Sequence, residues 1–346
     1  MKYRRIIALS LLGAFLAPLA AQAQTKVKMG TVRSTVIGAA LAAKERGYFK
    51  EAGLDVEIDI IDASAGFVPM LAQNQLQFVE GAITANFFNG VLQGLPVKLA
   101  IDTTSSPIGH NLMVRTDLKD QIKTVADLKG KVVGVNAPNS IAAYEVTKIL
   151  QTGGLDWKDI DPKVIPFPQM GVAFTTKAID AGLLITPYTA QFPQQKIAEQ
   201  WIDVDDVAKP QPLSISVSMF NSDWANKNPQ AIQGFYTALM RGVHDYCNAY
   251  HGGSWRPELL KLLVANGVAP TTELLDRIRW PARNPNGRIS PEFLKDVQSW
   301  YVKVGVVRSE APLDAVLDMR YANEANSKIG PFKLENTASD KKGCGK

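Results

Sequence analysis

Residues 27–61, VKMGTVRSTVIGAALAAKERGYFKEAGLDVEIDII, carry the pattern that decides the fold. Val27-Lys28-Met29-Gly30-Thr31-Val32 reads as a short strand. Ser34 or Thr35 then caps a helix that runs to about Tyr48, and Gly47 and Gly53 punctuate its end and the following turn. Leu54–Ile61 alternates apolar and acidic side chains, the period of a second strand. Strand, helix and strand in one short span are the signature of a parallel sheet.

The same alternation continues outward. A short helix with Pro69 in its first turn leads to a strand over Phe78–Ile83; Thr84 caps a helix to about Gln93, and Pro96–Asp102 is a fourth strand. The pattern then restarts. Strands are expected at Asn111–Arg115, Lys131–Asn136, Val164–Phe167 and Gly182–Thr186, with helices at Ile141–Gln151 and from Met170 to about Ala178. Pro210–Met219 is extended and crosses back. Beyond it only helical patterns follow: Pro229–Tyr250, Pro257–Asn266, Thr272–Arg279, Pro291–Gly305 and Leu313–Ile329. The prediction is an α/β protein of two lobes, with a helical C-terminal segment packed on one or both. Ligands of open α/β sheets sit at the carboxyl ends of the strands, here in the cleft between lobes.

The chain has 346 residues, 38 Lys+Arg against 33 Asp+Glu and a formal net charge of +5, for a pI near 9.0. Six of those bases are Lys2, Arg4, Arg5, Lys341, Lys342 and Lys346, at ends that hold no acid. The body between them is balanced, which removes the main argument for nucleic-acid binding. At the N-terminus, the three bases precede an apolar run from Ile6 to Ala20 and then Ala21-Gln22-Ala23, the pattern of a secretory signal peptide cut after Ala23. The run falls short of the ~20 residues that span a bilayer. An exported, periplasmic protein is expected, occupying residues 24–346. Of the two cysteines, Cys247 falls in a helical pattern and Cys344 in a Lys/Gly-rich tail; both read as free, and residues 337–346 read as disordered.

Glu45–Val56 (ERGYFKEAGLDV) resembles the G-Y-F-x-x-x-G-L-x-V signature of periplasmic substrate-binding proteins of the nitrate/sulfonate/taurine and thiamine-precursor type, the receptors of ABC importers. Gly94-Leu95-Pro96-Val97 resembles their G-x-P-V strand entry. Val125–Val135 (VADLKGKVVGV) is similar to their D-L-K-G-K-x-V-G-V segment, and Ala178–Gly182 with Thr186-Pro187-Tyr188 to their G-x-I-D-A…P-Y segment. Lys177 departs from the pattern, standing where the family usually has Gly. The cysteine-rich motif of the fungal pyrimidine synthases, a catalytic branch of similar fold, is absent from the sequence. The resemblance implies a type II periplasmic-binding fold: lobe one from residues 24–105 plus 217–336, lobe two from 106–216, and a hinge of two crossovers near Thr103–Gly109 and Pro210–Ser216. It also implies a monomer without cofactor that hands its ligand to a membrane permease and its ATPase.

The candidate ligand site is the set of strand-to-helix loops facing the cleft. Lobe one offers Thr31, Arg33, Ser34 and Thr35; then Ser64, Ala65 and Gly66; then Thr84, Ala85 and Asn86. Lobe two offers Asn136, Asn139, Ser140, Thr186 and Tyr188. Free backbone N–H groups and positive helix ends favour an anion there, although each Ser or Thr also suits plain N-capping. Arg33 can clamp a carboxylate or sulfonate with two parallel bonds. Phe67, Phe87, Phe88, Tyr144 and Tyr188 lie near these loops as candidate walls for a flat ligand, or as core. The expected ligand is a small organic anion, a sulfonate or an aromatic carboxylate. A thiamine pyrimidine precursor, nitrate, or a sensor role in place of transport are the alternatives.

An enzyme is disfavoured because no G-x-S-x-G, H-E-x-x-H, G-x-G-x-x-G or G-x-x-x-x-G-K-[ST] occurs. His244, Cys247 and His251 share a helix face, but on the flank of a core stripe, and no metal site is expected. Asp180 reads as a capping or ion-pairing acid. Trp280 and Arg283 stand within reach of the cleft, with nothing to fix them there.

Overall fold

The computed structural model describes residues 24–61, 66–137 and 139–345. The signal-peptide reading and the candidates Ser64 and Ala65 lie outside these residues. Strands β1 (Thr25–Thr31), β2 (Leu54–Ile60), β3 (Phe78–Ala82) and β4 (Val97–Ser105) form one sheet, and β5 (Asn111–Arg115), β6 (Val132–Val135), β7 (Asp161–Val164), β8 (Ala181–Leu184) and β9 (Ala198–Asp203) the other. The first sheet also takes β10 (Ser214–Asn221), giving the order β2-β1-β3-β10-β4 beside β7-β6-β8-β5-β9. Each sheet has a parallel half and one antiparallel strand, β10 in the first and β5 in the second. This is the two-lobe periplasmic-binding-protein fold.

Most elements fall where periodicity predicts them; the departures include the unpredicted short helices Tyr188–Gln194, Val204–Val207 and Ser222–Lys227 and a break in Leu313–Ile329. The β7 strand precedes its expected place, because Pro166 starts the helix Phe167–Thr175 instead of ending a strand. Strand β9 (AEQWID) was not anticipated; its mixed polarity suits a sheet edge, where it pairs only with β5. The crossovers are also displaced: β4 continues to Ser105 and β10 begins at Ser214, so the connections run through residues 106–110 and 204–213.

Packing divides into three clusters, the smallest inside lobe two around Met170, Phe174 and Phe192. On one face of the first sheet, Phe78 stacks on Phe235 with centroids 3.6 Å apart, and Phe235 on Phe49 at 5.2 Å. Gly242 lets the helix Pro229–Tyr250 press against the helix Gly38–Glu45, since a Cβ there would overlap the Ala39 carbonyl. On the other face, a core runs from lobe one into lobe two through the helix Pro291–Lys303. Tyr301 of that helix meets Phe88, while Phe293 and Trp300 meet Tyr144 edge-on at 5.8 Å. Tyr144 Oη donates to Asp296 Oδ2 at 2.6 Å, and Lys148 Nζ pairs with the same carboxylate at 2.7 Å. The helical segment therefore packs on both lobes.

The tail reading is overturned. Cys247 and Cys344 form a disulfide and both are buried. Tyr250 Oη donates to the Lys342 carbonyl at 2.7 Å, and His251 Nε2 to the Gly343 carbonyl at 3.1 Å. What secures this segment is a covalent bond and backbone hydrogen bonds to side chains of a buried helix, and neither appears in hydropathy. The third member of the supposed metal face, His244, has Nε2 at the Pro285 carbonyl, 3.1 Å away.

Lys177 explains its own departure from the family pattern. The helix Phe167–Thr175 ends with Lys177 N–H donating to the Phe174 carbonyl and Ala178 N–H to that of Ala173, at 3.1 and 2.8 Å. This places Lys177 at the left-handed position, with φ +59°, where glycine carries no Cβ penalty. Its exposed ion pair with Asp117 adds little. Lys177→Gly should raise the unfolding free energy by about 0.5–1 kcal/mol, read by urea denaturation; a loss of stability would refute this account.

Candidate ligand site

The first strand-to-helix loop splits its residues between two environments. Thr31 ends β1 fully buried, and Thr35 is buried against Tyr246 in the interior of lobe one. Ser34 acts as an N-cap, its Oγ accepting from Val36 N at 3.3 Å. Arg33 alone turns outward, its Nη1 donating to the Asn266 carbonyl at 3.1 Å. That carbonyl follows the last turn of the helix Arg256–Ala265, a negative helix end that suits a guanidinium.

The third loop differs. Thr84 has the extended N-cap backbone, yet its side chain makes no capping bond to the helix Ala85–Leu92. Ala85 is buried, and Asn86 and Gly66 are exposed. In lobe two, Ser140 caps the helix Ile141–Thr152 by accepting from Ala143 N at 3.3 Å, donates to the Ala137 carbonyl at 2.8 Å, and lies 3.2 Å from Asn136 Oδ1. Asn139 is exposed at φ +53°. Thr186 donates to the Arg279 carbonyl at 2.9 Å, a contact between lobe two and the helical segment, and Arg279 Nη1 pairs with Asp203.

A cavity of about 510 Å³ opens between these parts, within the 300–1,000 Å³ range of small-molecule sites. Pro187, Tyr188 and Gln191 form its lobe-two wall; Val264 and Gly267-Val268-Ala269-Pro270 face them. Tyr188 is half-buried, stacks on Phe167 at 6.4 Å, and has its phenol pKa raised by burial. Gly267 joins the cavity to the first loop: with φ +70° it has no Cβ, and one built there would lie 2.7 Å from Arg33 Nη1. Tyr188 thus lines one wall of the cavity, while Arg33 packs against Gly267 of the opposite wall. Thr31, Thr35 and Ala85 are buried, and Ser34 and Ser140 spend their oxygens on helix caps.

Of the aromatic candidates, Phe67, Phe87, Phe88 and Tyr144 are core, leaving Tyr188 at the cavity. Gln191 and the Val264–Pro270 wall were missed. Their only sequence signal is the Asn266-Gly267…Pro270 break between two helical patterns, which marks a turn without saying what it faces.

Trp280 and Arg283 do not reach the cleft. Trp280 is buried, its Nε1 donating to the Leu275 carbonyl at 2.8 Å. Arg283 is fully buried beneath the first loop, donating through Nη2 to the Val36 carbonyl and lying 3.4 Å from Glu80 Oε1. Asp180 is structural, accepting from Val132 N at 3.0 Å and from Arg115 Nη1 at 3.2 Å.

At the crossover, His110 Nδ1 lies 3.0 Å from both carboxylate oxygens of the buried Glu145. Burial lowers the His110 pKa, but Glu145, Asp205 and Asp203 outweigh it and hold it above the ordinary value. A raised folded pKa contributes stability that is complete below the unfolded value of about 6.5 and lost as pH rises through the folded one. His110→Gln should flatten this fall in denaturation curves above neutral pH; an unchanged profile would refute the assignment.

The profile of a family described as NMT1/THI5 like matches residues 34–249, more than half of the chain. A protein named putative thiamine biosynthesis protein, from Haemophilus influenzae, is 29% identical over 126 residues, 36% of this chain and 38% of that protein. The chain thus aligns with well under half of that relative's length. Among solved structures, the periplasmic aliphatic sulphonate binding protein SsuA from Escherichia coli superposes with a TM-score of 0.69 at 17% identity, covering 85% of this chain and 92% of that one. The periplasmic nitrate-binding protein NrtA from Synechocystis PCC 6803 gives 0.66 at 16%, covering 93% and 92%. The desulfurization enzyme DszB shares the fold with a TM-score of 0.66 at 16% identity, covering 89% and 100%.

Proposed function

Because the chain belongs to the NMT1/THI5-like family, we propose that it is the periplasmic solute-binding receptor of an ABC-type importer. In this reading it closes its lobes on a small organic anion, a sulfonate or an aromatic carboxylate, and delivers it to a membrane permease and its ATPase. Among the described residues no helix is long and apolar enough to cross a membrane.

The observation that carries the reading is the cavity itself. Its walls mix polar and apolar surface, with Tyr188 and Gln191 on one side and the Val264–Pro270 turn on the other, and the Arg33 guanidinium packs against Gly267 of that turn. Such a space suits a flat or apolar body with one anionic end.

A thermal-shift screen of alkanesulfonates, benzoate-type carboxylates, nitrate and aminopyrimidines tests this. A ligand at about 100 times its Kd adds ~2.7 kcal/mol of stability, and no response from any class would sink the receptor reading. With an anion that does respond, Arg33→Ala should weaken binding by about 1.5–3 kcal/mol in titration calorimetry. Wild-type affinity in that variant would remove Arg33 from the site.

The Haemophilus influenzae relative favours a second ligand class, a pyrimidine of thiamine synthesis. The Gln191 amide, both donor and acceptor, suits a heterocycle edge. Binding of an aminopyrimidine that persists in Arg33→Ala but is lost in Gln191→Ala would select this class over the anion.

A further inference from the structure

The C-terminal segment ends against the hinge. Its path is set by the helix Pro229–Tyr250 and the residue that follows it: Lys341 Nζ donates to the Tyr250 carbonyl at 2.9 Å, Tyr250 Oη to the Lys342 carbonyl, and His251 contacts both Ser339 Oγ and the Gly343 carbonyl. Cys344 is then bonded to Cys247 on the same helix. These anchors bring the Gly343 backbone flush against Ala282 and Pro107. A Cβ built on Gly343 would lie 2.5 Å from Ala282 Cβ and 2.6 Å from Pro107 Cδ, and its φ of +91° suits glycine.

Pro107 belongs to the first crossover. Its carbonyl accepts from Ala282 N at 2.8 Å, and Ser105 N donates to the Ala282 carbonyl at 3.0 Å. The same crossover is tied to the second one: Ile108 N donates to Asp205 Oδ2 at 2.7 Å, and Leu213 N to Ser106 Oγ at 3.0 Å. Any rotation of the lobes must change backbone angles in these two connections. The order of contact is therefore disulfide, Gly343, Ala282 and Pro107, then both crossovers.

We propose that residues 337–345 form a disulfide-anchored strap that braces the hinge and narrows the range of lobe orientations. The strap loads one side of the first crossover at Pro107, so that opening motions must either slide Pro107 across Gly343 or lift the segment from its helix. A close-packed contact resists both. This role does not depend on which ligand the cleft takes.

Inter-lobe distances by pulsed electron resonance test it without any ligand. Spin labels carried on a non-natural azido side chain at the exposed positions Glu57 and Lys163, one per lobe, leave the disulfide intact. Gly343→Ala keeps both cysteines but forces the strap off Pro107; Cys344→Ser removes its covalent anchor and leaves the hydrogen bonds to Tyr250 and His251. With folding checked by circular dichroism, both variants should widen the distance distribution to about twice its wild-type breadth. Wild-type distributions in both would overturn the proposal. So would widening in Cys344→Ser alone, because the Pro107 contact would then carry nothing.

Discussion

Arg283→Met should lower the unfolding free energy by about 3–5 kcal/mol, the cost of removing one partner from a buried ion pair. Arg283 and Glu80 are both fully buried, and the guanidinium also holds the Val36 carbonyl and lies over the Tyr246 ring at 5.2 Å. Burial pushes the Glu80 carboxyl pKa up, and Arg283 pulls it partly back. Without Arg283, Glu80 binds its proton over a wider pH range. An acid with a raised folded pKa costs stability as pH climbs from the unfolded value through the folded one. The variant should therefore lose more stability than wild type between acid and neutral pH. Glu80→Gln should also be harmful, since it leaves a guanidinium that cannot discharge with Asp102 as its remaining acidic neighbour. The double variant should recover much of the loss, because the two charges are removed together. Urea denaturation of all four proteins across pH measures this, and additive losses would show that the pair is not coupled.

Cys344→Ser should cost about 2–4 kcal/mol, as expected when a cross-link across 97 residues is opened. Closing so long a loop removes many conformations from the unfolded chain. The native state keeps the hydrogen bonds of residues 339–343 to Tyr250 and His251 but loses their covalent anchor. A dithiol reductant should produce the same drop in wild type and no further drop in the variant. Equal stability of wild type with and without reductant would refute the claim.

These two effects mark where sequence reasoning ran out. The alternating LDVEIDII strand, the glycine punctuation and the 22-residue helix Pro229–Tyr250 were legible because each is a local pattern with a local cause. The two-lobe order followed from their succession. Arg283 was read as a loop cation within reach of the cleft because nothing adjacent to it says that Glu80 lies opposite. That contact spans 203 positions, and no periodicity encodes it. The same holds for Cys344, whose neighbours Lys342, Gly343 and Gly345 argue for solvent. Arg33 and Tyr188 were proposed from their place after strand ends, and the structure leaves Arg33 exposed and Tyr188 on a cavity wall. Thr31 and Thr35 were included by the same rule and proved buried, since strand-end position does not tell which side of the sheet a residue faces. The cavity wall at Val264–Pro270 belongs to no strand end, so that rule could not find it.

The strand order has a consequence for how the chain becomes a protein. Lobe two's sheet is made from one continuous stretch, residues 111–203, and can form once that stretch is available. Lobe one's sheet begins at residue 25 but lacks an inner strand until β10 arrives at residues 214–221, and Arg283 reaches Glu80 later still. Until then β3 and β4 each present an unpaired edge, the kind of surface that recruits other chains. A chain kept extended until residue 221 is available would avoid that interval, because no edge forms before the strand that closes it has arrived. The sheet that starts first is completed last, so delayed folding protects this topology.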